Sequence, residues 1–182
     1  GLKQIKVAKE NSRANNKREA FKSAAVQCGV YADKIVPLTQ GLQNEKLTFF
    51  DKFDVSFTEK GFKIKPKGEI TEKEIEKLNK SSYLTDLTNA LEGFSVYFIS
   101  GVAAEKVGYI TTGKGYCKVV KMLMPVVGLE FKKGHYKNIM LLFFEWNNRL
   151  EKEKLELEKR EIEKKLNNKD EGLQINPIGT KK

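Results

Sequence analysis

From Phe21 the apolar positions Phe21, Ala24, Cys28, Ala32, Ile35 and Leu38 fall at steps of three and four, which draws one stripe down a helix. Upstream, residues Lys9 to Glu19 are polar on every side, so this helix is predicted to begin as a bare rod and to enter the core at Phe21. Pro37 lacks an amide hydrogen and is expected to bend or end it. Gly41 then marks a resumption, and Leu42, Leu47, Phe49, Phe50 and Phe53 predict a second, shorter piece of helix.

The period changes between Asp54 and Gly68. Val55, Phe57, Phe62 and Ile64 alternate with polar residues around Glu59-Lys60-Gly61, which resembles a small β-hairpin near 55–65 leaning on helices, with an extended loop as the alternative. Thr71 with Glu74 forms a capping box that opens a charged helix to about Asn79. Leu84, Leu87, Leu91, Phe94, Phe98 and Val102 give the clearest amphipathic helix, 82–102, with Ser81 or Ser82 as its cap. A break is expected over Gly108 to Gly115, followed by a buried helix 116–127 that ends near Pro125 and Gly128, then a turn at LEFKKGH. The last helix carries Ile139, Met140, Leu142, Phe143, Trp146 and Leu150 and becomes almost wholly charged past Glu151.

These elements predict an all-α or mainly α helical bundle. Its parts are a polar basic juxtamembrane-type helix over 1–20, a core over 21–150, a charged helical extension over 151–168 and a disordered tail over 169–182. At 182 residues and 40% apolar content the chain can build one core of ordinary size. In the extension, Glu156 with Arg160 and Glu161 with Lys165 are spaced as acid-to-base pairs. Leu155, Leu157, Ile162 and Leu166 make only a broken stripe, so a solvated helix is expected there rather than a coiled coil.

The net charge of +10 is uneven. Residues 1–28 hold seven Lys/Arg against two acids, whereas 29–150 hold eighteen against fourteen and 151–170 seven against seven. A basic excess at the front favours a segment beside an anionic membrane surface, since Lys and Arg next to a span collect on the cytoplasmic side. The chain opens on Gly1 and its three methionines are internal, so a further hydrophobic segment upstream is expected. No apolar run approaches the roughly 20 residues a spanning helix needs, and the chain as given reads as soluble. Cys28 and Cys117 lie far apart without a CxxC or His partner, the pattern of buried reduced thiols.

Candidate chemistry is sparse. The run GYITTGKG from Gly108 matches a phosphate-binding loop at both glycines and Lys114, but Gly115 stands where Ser or Thr should hold Mg²⁺, and no buried strand precedes it. Glu92 and Glu105 are too far apart along the chain for a catalytic carboxylate pair, and Glu92 reads as a structural polar group. His135, the only histidine, sits in the polar turn before the last helix and excludes a His-rich metal site. Trp146 shares helical spacing with Ile139 and Phe143 and reads as core. Lys60, Lys63, Lys65 and Lys67 make a basic ribbon around Phe62 and Ile64; with Lys114 they are the candidate anion contacts, weighed against lysines that protect a sheet edge. No catalytic constellation, cofactor site or metal site is predicted.

The opening segment GLKQIKVAKENSRANNKREAFKSAAVQC with Tyr31 and Ile35-Val36-Pro37-Leu38, together with LTNALEGFSVYFISGVAAEKVGY, GKGYCKVVKMLMPVV and the helix ending in Trp146, resembles an uncharacterised bacterial family, a domain of unknown function. The resemblance covers most of residues 2–150. It implies an all-helical domain behind an amino-terminal membrane helix, with Leu91-Glu92, Gly101 and Pro125 as its landmarks. Some members lie near anti-phage or mobile-element functions. The leading expectation is a membrane-tethered interaction or regulatory module on the cytoplasmic face, with an unidentified protein partner and no chemistry of its own. The alternative is a nucleic-acid-binding module using the front helix and the Lys60–Lys67 ribbon.

Overall fold

The computed structural model describes residues 2–58 and 61–170. The fold is mainly helical with a small antiparallel hairpin, and the chain divides into two compact units, Gly1–Asn147 and Asn148–Lys182.

Helix α1 (Leu2–Val30) runs without a break into a π-turn at Tyr31–Ile35 and on into α2 (Val36–Asn44). Of the two outcomes expected at Pro37, a bend or an end, the chain does not end there. Pro37 can offer no amide to Asp33, and its ring would crowd that carbonyl in a regular α-turn. The wider turn just before it, closed by Val36 N–H on the Tyr31 carbonyl, carries the chain past the conflict. The extra residue rotates the buried face, so Ile35, Thr39 and Leu42 are buried while Ala32, predicted for the stripe, is exposed. Gly41 lies inside α2 and lets it approach the helix that carries Tyr83 closely: a Cβ there would collide with the Tyr83 ring.

A 3₁₀ turn (Thr48–Lys52) leads into β1 (Phe53–Thr58), which pairs antiparallel with β2 (Gly61–Pro66) in the register Val55 with Ile64 and Phe57 with Phe62. The hairpin leans on the bundle as two strands alone must. Phe57 meets Phe143 at 5.3 Å, and Phe62 and Ile64 lie over Gly128. Helix α3 (Glu72–Lys80) opens with the full capping box: the Glu74 amide donates to the Thr71 hydroxyl and the Thr71 amide to the Glu74 carboxylate. Helix α4 (Ser82–Ile99) is capped by Ser81 and stops at Gly101, whose φ of +74° takes the left-handed turn that a side chain would resist. Val102, expected to continue the α4 stripe, lies past this stop and is exposed.

The largest departure from the sequence reading is α5 (Glu105–Lys132), one helix through the expected break at 108–115 and past the expected end at Pro125 and Gly128. Its glycines are places of contact rather than interruptions. A Cβ at Gly108 would strike the Phe98 ring, and one at Gly115 would come within 2.6 Å of the Tyr31 hydroxyl. The Thr111 and Thr112 hydroxyls each bond the carbonyl four residues back. Helix α6 (Lys137–Asp170) begins in the first unit, where Trp146 is fully buried against Phe94, Phe98, Tyr109 and Tyr116 at ring distances of 5.2–6.1 Å. In the second unit residues 151–167 are exposed on all sides, with ion pairs Lys154–Glu158 and Lys159–Glu163. The helix reaches Asp170, past the predicted limit of the extension at 168, and the rest of the predicted tail lies outside the described residues.

Candidate functional site

Residues 4–19 of α1 are exposed without exception, a rod of sixteen residues and about 24 Å that touches the core first at Ala20. Its root is fixed by two contacts. The Ala104 amide donates to the Ala20 carbonyl at 2.9 Å, and Tyr31 reaches Gly115 eleven residues further along both helices. Thus α1 and α5 lie side by side in the same direction, and α5 starts where the rod leaves the core.

The direction of the rod's charge follows from helix geometry. At 100° per residue, Lys6, Lys9, Arg13 and Lys17 share an arc of about 80°. Ala20, Ala24 and Gln27 occupy the same arc, and the last two are buried against the core. The line that packs the bundle below Ala20 is therefore basic above it. Glu10 borders this line, and Lys17 lies 6.0 Å above the half-exposed Phe21 ring at its foot.

The remaining candidates do not converge with it. Lys60 lies outside the described residues. Lys63 and Lys65 are exposed at positions that alternate with Phe62 and Ile64, the residues turned to Gly128, and Lys67 is paired with Asp54 at 3.1 Å. Lys114 is exposed on α5 beside Gly115, fourteen residues and about 21 Å along that helix from Gly128, where the hairpin rests. The GYITTGKG backbone is helical, so its amides are engaged in the helix and are not arranged to cradle a phosphate.

Both conspicuous carboxylates serve α6. Glu92 accepts the Ile139 amide at 3.0 Å, the Asn138 amide at 3.3 Å and the Asn138 side-chain amide at 2.7 Å. Glu105 accepts the Trp146 indole N–H at 2.6 Å. These points on α6 are seven residues, or about 10 Å, apart, so the two groups do not form a shared acid–base site. His135 is exposed in the turn before α6, its amide bonded to the Glu130 carbonyl. Buried Tyr116 touches the Ser95 hydroxyl at 2.7 Å and donates to the Ile139 carbonyl at 3.0 Å; burial pushes its phenol well above the ordinary range. Tyr31 is pushed up to about 12, by burial first and by the neighbouring Cys117 second.

One open groove of about 400 Å³ lies between the end of α2, the 3₁₀ turn and α5, with Leu42, Leu47, Phe50 and Met122 as its apolar floor and Lys46 and Asp51 at its rim. Its Thr48 hydroxyl is already given to Glu74. Among the described residues no group of three or more His, Cys, Asp and Glu could hold a metal ion, and no helix is long and apolar enough to cross a membrane. Comparison of the chain with protein-family models, with curated proteins and with solved structures returned no match.

The projecting basic line was missed from sequence because a charged residue at core spacing carries no hydrophobic signal. Steps of three and four from Lys6 to Gln27 could have shown it once polar positions were read on the same wheel as apolar ones.

Proposed function

We propose that this protein is a non-catalytic interaction or regulatory module, tethered at the cytoplasmic face of a membrane, in which the bundle carries a basic helical rod as its contact element. The observation that supports this reading is the sixteen-residue rod, uncovered along its whole length. A polar helix of this size is marginal in water by itself, and its Asn and Ser residues lower its propensity further. Such a helix gains its order from being held at both ends or from a partner along its side. The core holds one end, and a partner of opposite charge suits the basic residues beyond it.

Fractionation of cells expressing the full-length gene product tests the tether. Recovery with membranes, resistant to high salt, is expected; recovery wholly in the soluble fraction removes the anchor. A second reading, nucleic-acid binding, draws on Lys63 and Lys65, exposed on the hairpin without an ion pair among the described residues. Titration with short duplex and single-stranded DNA at two salt concentrations separates it, because phosphate contacts weaken steeply with salt.

A further inference from the structure

The rod's basic line points to the same side as the core, and this limits what can reach it. Below Ala20 that side is filled by α5, which runs alongside α1 from Ala104–Ala20 to Gly115–Tyr31. Above Ala20 no described residue of this unit covers the corresponding lane, since residues 4–19 are all exposed. Its roof is the arc of Lys6, Lys9, Arg13 and Lys17, and its end wall is the Ser100–Ala104 connection, where Val102 is 54% exposed and the Ala103 amide is fixed to the Tyr97 carbonyl. The result is a corner about 24 Å long, open on its remaining sides.

We infer that this corner seats an acidic helix of a partner protein, lying where α5 would lie if it continued upstream. The rod's four cations meet the partner's carboxylates, and Val102 meets an apolar residue at its end. This rests on the interaction-module reading and names the partner's chemistry. A flat anionic bilayer suits the seat less well, because the core protrudes on the very side to which the basic line faces. A second copy of this chain is also a poor occupant. Its α1 and α5 have the same sign, α3 has three Glu against three Lys, residues 151–167 have six acids against six bases, and of the two acids on α4 Glu92 is engaged with α6. Four exposed ion pairs at about 0.2–1 kcal/mol each correspond to roughly 1.4- to 5-fold per pair in affinity.

The test uses the chain as it stands and a synthetic eighteen-residue helical peptide with Glu every three to four residues on one face and Leu at one end. Its Gln and Lys analogues serve as controls, and anisotropy is the readout. The Glu peptide is expected to bind about ten-fold or more tightly than the Gln analogue, with an affinity that falls as salt rises. The variant K6E/K9E/R13E/K17E, whose changes are all at exposed positions, should lose the Glu peptide and gain the Lys analogue. A photo-crosslinking residue at Val102 should label the Leu end of the Glu peptide. Equal binding of the Glu and Gln peptides, no exchange of preference in the variant, or crosslinks remote from the Leu end would each overturn the assignment. So would binding of phosphatidylserine vesicles or duplex DNA through these four residues without binding of the Glu peptide. Membrane recovery of the full-length product reads the tether separately, so either result can fail alone.

Discussion

Replacement of Glu92 should unseat the start of α6 without touching any apolar contact. Tyr136, directly before that helix, is held at φ +51°, and its aromatic side chain supplies no acceptor to the first turn. The acceptor arrives instead from α4: the Glu92 carboxylate takes the Asn138 and Ile139 amides and the Asn138 side chain. A helix cap is worth about 1 kcal/mol, a hydrogen bond to a charged group about 1.5–3 kcal/mol, and a negative charge at a helix N-terminus about 0.3–1 kcal/mol, with much overlap among the three. Because Ile139 is fully buried, an orphaned amide there has poor access to water. Glu92→Ala should therefore cost about 3 kcal/mol, while Glu92→Gln, which keeps an oxygen and loses the charge, should cost about 1 kcal/mol. For a unit of this size that lowers Tm by about 6–12 °C and 2–4 °C respectively. Urea unfolding followed by circular dichroism supplies the free energies. A cycle with Asn138→Ala should show coupling of at least about 0.5 kcal/mol. A loss below about 0.5 kcal/mol for Glu92→Ala, or a Gln variant no better than Ala, would refute the cap.

Three further outcomes are expected. Gly108→Ala and Gly93→Ala should change stability in opposite directions: the first drives a Cβ into the buried Phe98 ring and costs about 1–3 kcal/mol, whereas the second meets nothing and gains about 1 kcal/mol of helix propensity, as thermal melts will register. Lys46 ends α2 at φ +48°, so Lys46→Gly should stabilise the fold by up to about 1 kcal/mol in the same measurement. Tyr31 and Tyr116 are held neutral by burial, so their contribution is intact below pH 10 and is lost above it, for Tyr31 as pH rises through about 12. Ultraviolet titration should show both phenols ionising together with a cooperative unfolding step rather than with the exposed tyrosines.

What could be read in advance, and what could not, divides along physical lines. The α4 stripe and the Thr71–Glu74 box were legible because their signals are local, a period and a three-residue reach. The hairpin was legible because Val55, Phe57, Phe62 and Ile64 keep a period of two. Helix α5 was not, since Gly108, Gly115 and Gly128 carry the same letters as a loop, and only their distant neighbours Phe98, Tyr31 and the hairpin explain them. The π-turn escaped because an added residue shifts phase without changing composition. The partners of Glu92 lie some 46 residues ahead in the chain, beyond any spacing rule.

Trp146 is the chain's single tryptophan, sealed among four rings with its indole N–H on Glu105. One indole thus stands at the centre of the folded unit and none on the rod. Its emission should report melting of the interior while remaining silent when something settles on the projecting helix, so folding and recognition can be followed in one cuvette as independent signals.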